Sequence, residues 1–220
     1  MQLVPAETSL VVAGAWNPAI LTPPWVLRHG LNRQPGQAEQ IQVFVPAGAG
    51  MIFEFPRYAL SEFTFVVRPD TLVMSPTDVS STDFNVLEDA AAAMLEHLRH
   101  TPINGIGHNF EYRDAEPSPN QLENFTQSRQ DISDNMPEGW DAAAAVLISN
   151  FKKPDNSVVI SITRQFDAGI VSVKFNFHHP ISTVDQALQV LRGQGTFARM
   201  NGNFEMARNL ISTLYGEESR

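Results

Sequence analysis

Residues 103–113 read INGIGHNFEYR, and they alternate between two kinds of side chain. Ile106, His108, Phe110 and Tyr112 fall on one side of an extended chain, because successive side chains of a strand point to opposite faces. Glycine and polar residues take the other side. The stretch therefore predicts one long β-strand with its apolar face toward the core.

Two groups of shorter strands flank this segment along the chain. Apolar residues recur at every second position in the first group, with predicted strands at 41–45, 51–55, 63–67 and 72–74. The second group is predicted at 144–151, 158–163 and 170–177. Such alternation is typical of antiparallel strands with one buried face. We expect the 103–113 strand to join both meanders in one sheet.

Helical periodicity interrupts the strands at 83–99, 182–191 and 203–215, with a shorter helix at 22–28. Asp83 and Ser182 are the predicted N-caps of the first two, because short polar side chains satisfy the free N–H groups there. Residues 114–138 are polar and acidic and contain three prolines. They are predicted to form a surface excursion with at most one short helix.

Strands followed by a helix occur twice, over 41–99 and over 144–191. We therefore predict an α+β fold in which helices pack on one face of an antiparallel β-sheet built from two strand meanders. A single domain spanning 1–220 is expected. The repeated order also suggests a pseudo-duplication of two halves, 1–113 and 139–220, joined by the acidic excursion 114–138, although the residues themselves do not repeat.

Composition narrows the classes of function. The 220 residues include no cysteine, which removes disulfides, thiolate catalysis, cysteine-ligated zinc and iron–sulfur clusters. The N-terminal residues lack a basic segment ahead of an apolar stretch, so a cytoplasmic location is expected. No apolar stretch approaches the roughly 20 residues of a membrane helix. We expect no membrane span.

Acidic charge is concentrated in the middle of the chain. The net charge is −9, and residues 77–140 alone carry three basic and twelve acidic residues. A phosphate backbone is bound by clustered basic side chains, and this chain has only three lysines, Lys152, Lys153 and Lys174. Nucleic-acid binding, which would use these lysines with Arg164, is therefore the least favoured class.

His108 is the strongest candidate for chemistry, with Tyr112 beside it on the same face. Burial disfavours the imidazolium, so His108 could act as an acid or base. A core histidine bonded to a backbone carbonyl or water is the favoured alternative, because a perturbed group marks function only probabilistically.

Metal ligation has weaker candidates. His97 and His100 lie three residues apart at the end of the 83–99 helix, but the sequence places no third ligand near them. Cationic side chains also suit a helix C-terminus, which is the favoured interpretation. His178 and His179 are adjacent in a strand and point to opposite faces. We predict no metal and no cofactor.

Local signatures of catalysis are absent from the sequence. It has no Gly-x-Ser-x-Gly elbow, no Walker loop and no His-Glu-x-x-His motif. Distant residues can still assemble an active site in the folded protein, so enzymatic function stays open. The sequence favours a protein that is not an enzyme.

The predicted function is therefore an interaction module or a subunit of a larger assembly, acting through a protein partner or self-association. The candidate contacts are the sheet edges, the acidic excursion and the exposed tryptophans; the residues are Trp16, Trp25, Asp131, Asp134 and Glu138. A partner of the excursion would be basic. The alternative is a small-molecule-binding protein or enzyme, with a pocket between the sheet and the 83–99 helix lined by His108 and Tyr112.

Overall fold

The computed structural model describes residues 1–34, 41–44, 55–126, 135–140 and 142–216. Within these ranges ten strands form one antiparallel sheet. The strands are β1 (Gln2–Leu3), β2 (Ser9–Gly14), β3 (Gln42–Phe44), β4 (Arg57–Ala59), β5 (Phe63–Val67), β6 (Thr71–Pro76), β7 (Ile103–Asp114), β8 (Ala144–Lys152), β9 (Val159–Asp167) and β10 (Ile170–Pro180). Their order is β3-β4-β5-β6-β2-β7-β10-β9-β8, and β1 pairs with β7. The predicted fold class, α+β with an antiparallel sheet, is confirmed.

The described helices pack on one face of this sheet. They are α1 (Pro23–His29), α2 (Ser81–His97), α3 (Pro119–Thr126), α4 (Val184–Leu191) and α5 (Met200–Tyr215). Beneath them the long strand β7 buries the predicted face, with Ile106 and Phe110 fully enclosed. Phe175 and Phe177 of β10 extend the same apolar layer, because they lie opposite Phe110 and His108. The alternation in the sequence correctly predicts which face of β7 is buried.

The strand order repeats on the two sides of the β2–β7 pair. Outward from β2 the order is β6, β5, β4, and outward from β7 it is β10, β9, β8. Each series is followed along the chain by a helix, α2 after β6 and α4 after β10. Both meanders belong to one sheet, as expected, but β7 pairs directly only with the second, through β10, and β2 lies between β7 and the first meander.

The N-caps of α2 and α4 differ from the predicted ones. The N-cap of α2 is Ser80, whose hydroxyl accepts a hydrogen bond from the backbone N–H of Asp83, so Asp83 lies inside the first turn. The N-cap of α4 is Thr183, one residue after the predicted Ser182. In each helix the cap is a hydroxyl side chain that accepts a hydrogen bond from the backbone N–H three residues later. The predicted caps were therefore wrong by three residues and by one.

The predicted strand at 51–55 lies almost wholly outside the described residues. A further strand that was not predicted, β4 at 57–59, pairs with β5. The last helix begins at Met200 rather than at 203, because the Glu88 carboxylate accepts the Met200 N–H. No helix among the residues described is both long and apolar enough to span a membrane.

Candidate functional site

β8 forms an outer edge of the sheet and exposes large apolar side chains. Val146, Leu147, Ile148 and Phe151 are each between 54 and 59% exposed. Leu147 lies opposite Arg164 in β9, whose guanidinium packs over the ring of Phe125 in α3, so Leu147 is on the helix side. Val146 and Ile148 are therefore on the helix-free side. The edge is apolar on both faces.

The hairpin of β8 and β9 fixes which backbone groups point outward. The N–H of Lys153 donates to the carbonyl of Val158 at 3.0 Å, and hydrogen-bonded pairs alternate along an antiparallel ladder. Odd-numbered residues of β8 therefore bond to β9. Even-numbered residues, from Ala144 to Lys152, direct their N–H and C=O groups to the free edge.

Native proteins commonly protect such an edge with charges, proline or a bulge. Residues 142–153 read AAAAVLISNFKK and contain no proline, no acidic residue and no charge before Lys152. β3, at the opposite end of the sheet, also exposes Val43 and Phe44, but the residues after it lie outside the described ranges. Among the described residues none pairs with the outer edge of β8, and this edge is thus the clearest candidate interaction surface.

The three tryptophans of the chain, of which Trp16 and Trp25 were predicted contacts, occupy different environments. Trp16 is only 6% exposed, and its indole N–H donates to the carbonyl of Val12 at 2.9 Å. Trp25 is half-buried, with its ring 4.6 Å from that of His29. Trp140 is 69% exposed and lies four residues before β8. Of the three indoles, Trp140 is therefore the one nearest in sequence to the apolar edge.

The predicted acidic contacts are only partly described. Asp131 and Asp134 lie outside the described residues, whereas Glu138 is exposed and precedes β8 by six residues. Lys152 is the last residue of β8 and Lys153 follows it, so the basic charge lies at the C-terminal end of this edge strand. The described part of the excursion contains one helix, α3.

His108 lies at the centre of a buried polar cluster between the sheet and the helices. Its Nδ1 is 2.8 Å from the amide nitrogen of Asn203, which can only donate. The same amide nitrogen is 3.4 Å from Nε2 of His179, whose Nδ1 is 2.9 Å from the carbonyl of Ser157. His108 accordingly carries its proton on Nε2, and His179 on Nδ1. The side-chain amide of Asn203 thus links α5 to β7 and β10.

Glu88 completes this cluster from α2. Its carboxylate accepts hydrogen bonds from Nε of Arg199 at 2.8 Å and from the N–H of Met200 at 2.7 Å, and Arg199 also pairs with Asp89. Burial raises the pKa of Glu88 to about 7, against the opposing effect of these donors. Burial, with a smaller contribution from His179, lowers the pKa of His108 to about 3.

The cluster is arranged as a structural junction. It joins α2, α5, β7 and β10, and its hydrogen bonds connect residues distant in sequence. Nδ1 of His108 is bonded to a side-chain amide rather than to a backbone carbonyl or water, and Nε2 has no hydrogen-bond partner among the described residues. Sequence reasoning missed Glu88 and Asn203, because each is an ordinary polar residue within a helix.

Tyr112, the second residue of the predicted pocket, is also buried under the helices. It is 4% exposed, and its hydroxyl has no hydrogen-bond partner within the described ranges. Burial raises the pKa of Tyr112. Both His108 and Tyr112 therefore lie within the packed interface and have almost no contact with solvent.

The predicted metal candidates at the end of α2, His97 and His100, are both exposed. The ring of His97 lies 4.4 Å from that of His29 and also contacts Trp25, while His100 lies beyond the helix. His178 and His179 do point to opposite faces of β10. Within the described ranges, no group of three or more histidine or acidic side chains is arranged to hold a metal ion.

A polar groove of about 400 Å³ lies on the helix-free face of the sheet. Asn109 bridges three strands there, because its amide donates to the hydroxyl of Ser9 and accepts from the amide of Asn176. Beside it the buried carboxylate of Glu111 pairs with Arg113 at 2.7 Å and with Lys174 at 3.2 Å. Polar residues at every second position were the sequence signal for this face.

Comparison of the sequence with protein-family models finds no match, and comparison with curated proteins finds no relative.

Proposed function

We propose that this protein is a non-enzymatic interaction module, a subunit that joins another polypeptide along the free edge of β8. The supporting observation is the exposed apolar edge strand, nine residues long, with an uncharged stretch before Lys152. A long, flat, apolar edge is a template for pairing with another chain.

Strand addition would satisfy both chemical features of the edge. The outward N–H and C=O groups of the even-numbered residues of β8 would bond to the added strand, which gives affinity. The side chains of Val146, Leu147, Ile148 and Phe151 would each gain a cross-strand neighbour on the face of the sheet that they occupy. Burial of apolar area contributes roughly 25 cal/mol for each Å² removed from water.

The proposal is tested by native mass spectrometry of the tagged protein, purified gently from its own host. Ile148→Pro removes an outward N–H at a position where proline is tolerated in an edge strand. Ile148→Val keeps that N–H and the apolar character, so it is the matched control. We expect the wild type and Ile148→Val to retain a second polypeptide chain and Ile148→Pro to lose it.

Circular dichroism and the melting temperature establish whether Ile148→Pro remains folded. A wild-type protein that carries no second chain would contradict the proposal. So would a partner that a folded Ile148→Pro protein retains undiminished, because the free backbone edge would then play no part in binding.

A further inference from the structure

We infer that the strand covering β8 is β8 of a second copy of this chain, paired antiparallel about a two-fold axis at Ile148. This inference rests on the proposed function of the β8 edge and adds the identity of the partner. Three features of the strand support it: its backbone phase, the sizes of its side chains and its charge.

The backbone phase permits a symmetric pair. Ile148 is the central residue of β8. A two-fold axis there would therefore pair all nine residues of one copy with the nine of the other, with Ala144 opposite Lys152 of the second copy. Ile148 directs its own N–H and C=O outward, as derived from the Lys153–Val158 hydrogen bond. Two Ile148 residues would therefore exchange both backbone hydrogen bonds, as directly opposed residues do in an antiparallel ladder.

The side chains are complementary in this register. On the helix side Phe151 would lie opposite Ala145, and Leu147 opposite Ser149, so large residues face small ones. On the helix-free side the two Ile148 side chains would pack against each other at the axis. Cross-strand neighbours of this kind stabilise a sheet by contact between their side chains. Leu147, Ile148 and Phe151 would thus gain cross-strand neighbours from the second copy, and Val146 would lie opposite Asn150.

Charge favours the antiparallel arrangement over the parallel one. Lys152 is the charged residue of the strand and lies at its C-terminal end, whereas its N-terminal end begins with Ala144. An antiparallel copy places Lys152 opposite the uncharged Ala144 of the other copy. A parallel copy would place Lys152 beside Lys152, which is unfavourable for directly opposed residues.

Sedimentation equilibrium of the purified chain tests the inference. We expect the wild type and Ile148→Val to have twice the monomer mass of 24.4 kDa, and Ile148→Pro to be monomeric at the same concentrations with unchanged circular dichroism. We expect at least roughly a tenfold weaker association constant for the proline variant, because it loses both symmetry-related hydrogen bonds.

Cysteine substitution tests the register, because the chain contains no other cysteine. Ile148→Cys should form a disulfide-linked dimer on mild oxidation, since opposed Cα atoms lie within the range that a disulfide spans. Leu147→Cys and Ser149→Cys should not, because an axis at Ile148 places each too far from its symmetry mate. Preferential cross-linking of either of these would overturn the register.

The two proposals fail in different ways. A monomeric wild type that still retains another protein in its host would overturn the second-copy inference and leave the proposed function standing. A monomeric wild type that also carries no partner in its host would overturn both. A dimer that persists in a folded Ile148→Pro protein would show that the copies meet at another surface.

Discussion

Oε1 of Glu88 lies 3.7 Å from Nε2 of His108, and both side chains are fully buried between α2 and β7. Burial affects the two groups in opposite directions, because it disfavours the charged form of each. It raises the pKa of Glu88 from 4.5 to about 7 and lowers the pKa of His108 from 6.5 to about 3. Both groups are therefore driven toward their neutral forms at this junction.

These opposite shifts predict compensating effects of pH on stability. Between pH 4.5 and 7 the folded protein holds the Glu88 proton that the unfolded chain releases, so the free energy of unfolding falls as pH rises. Between pH 3 and 6.5 the unfolded chain holds a His108 proton that the folded protein lacks, so that free energy rises with pH. The two contributions oppose each other where the ranges overlap.

Replacement of either group should reveal the contribution of the other. In Glu88→Gln the free energy of unfolding should rise with pH more steeply than in wild type between pH 4.5 and 6.5. In His108→Gln it should fall relative to wild type over the same range. Each difference in slope approaches about 1.4 kcal/mol per pH unit, the value for one proton. Urea unfolding across this range measures it, and parallel curves for all three proteins would contradict the compensation.

Asn203 is expected to stabilise the attachment of α5. Asn203→Ala should lower the free energy of unfolding by about 1–3 kcal/mol, because it leaves buried ring nitrogens of His108 and His179 without their donor. Asn209 is an exposed asparagine of the same helix, so Asn209→Ala is the matched control and should have little effect. Denaturant unfolding compares the two variants. Equal losses in the free energy of unfolding would contradict a stabilising role for the Asn203 hydrogen bonds.

Gly105 leaves space for the ring of His178, which would have to shift if a side chain were added there. A Cβ at Gly105 would lie 2.6 Å from Cε1 of His178, whereas one at Gly107 would meet its nearest atom at 3.4 Å. Gly105→Ala should therefore lower the melting temperature more than Gly107→Ala, since overpacking costs about 1–3 kcal/mol. Adding His178→Ala should recover much of the loss. A double variant that loses the sum of both single effects would exclude this steric conflict.

The sequence could predict those features that depend on local periodicity. In β7 the alternation of Ile106, Phe110 and Tyr112 with glycine and polar residues correctly indicates the buried face. The same approach failed at the start of α5. There the carboxylate of Glu88, 112 positions away, accepts the Met200 N–H, and no local pattern encodes a contact of that range.

The exposed edge could not be predicted for a related reason. The segment Ala144–Lys152 is mostly apolar, and apolar strands are usually buried. Its exposure depends on strand order, because β8 comes first in its meander but lies farthest from the centre of the sheet. The polar cluster around His108 likewise depends on which helix residues meet the strands. Residue type alone does not supply that information.

The carboxylate of Glu111 is expected to stabilise the polar groove on the helix-free face by pairing with two basic side chains. It is nearly buried, yet it pairs with both Arg113 and Lys174, so Glu111→Gln would leave two adjacent cations without their shared counterion. We expect the free energy of unfolding to fall by about 1–3 kcal/mol, with a smaller deficit at high salt because salt screens the repulsion between the cations. The matched control is Glu205→Gln, which breaks a more exposed pair with Arg208 and should cost less than about 1 kcal/mol. Similar losses in both variants, or a deficit that salt does not change, would contradict the role assigned to Glu111.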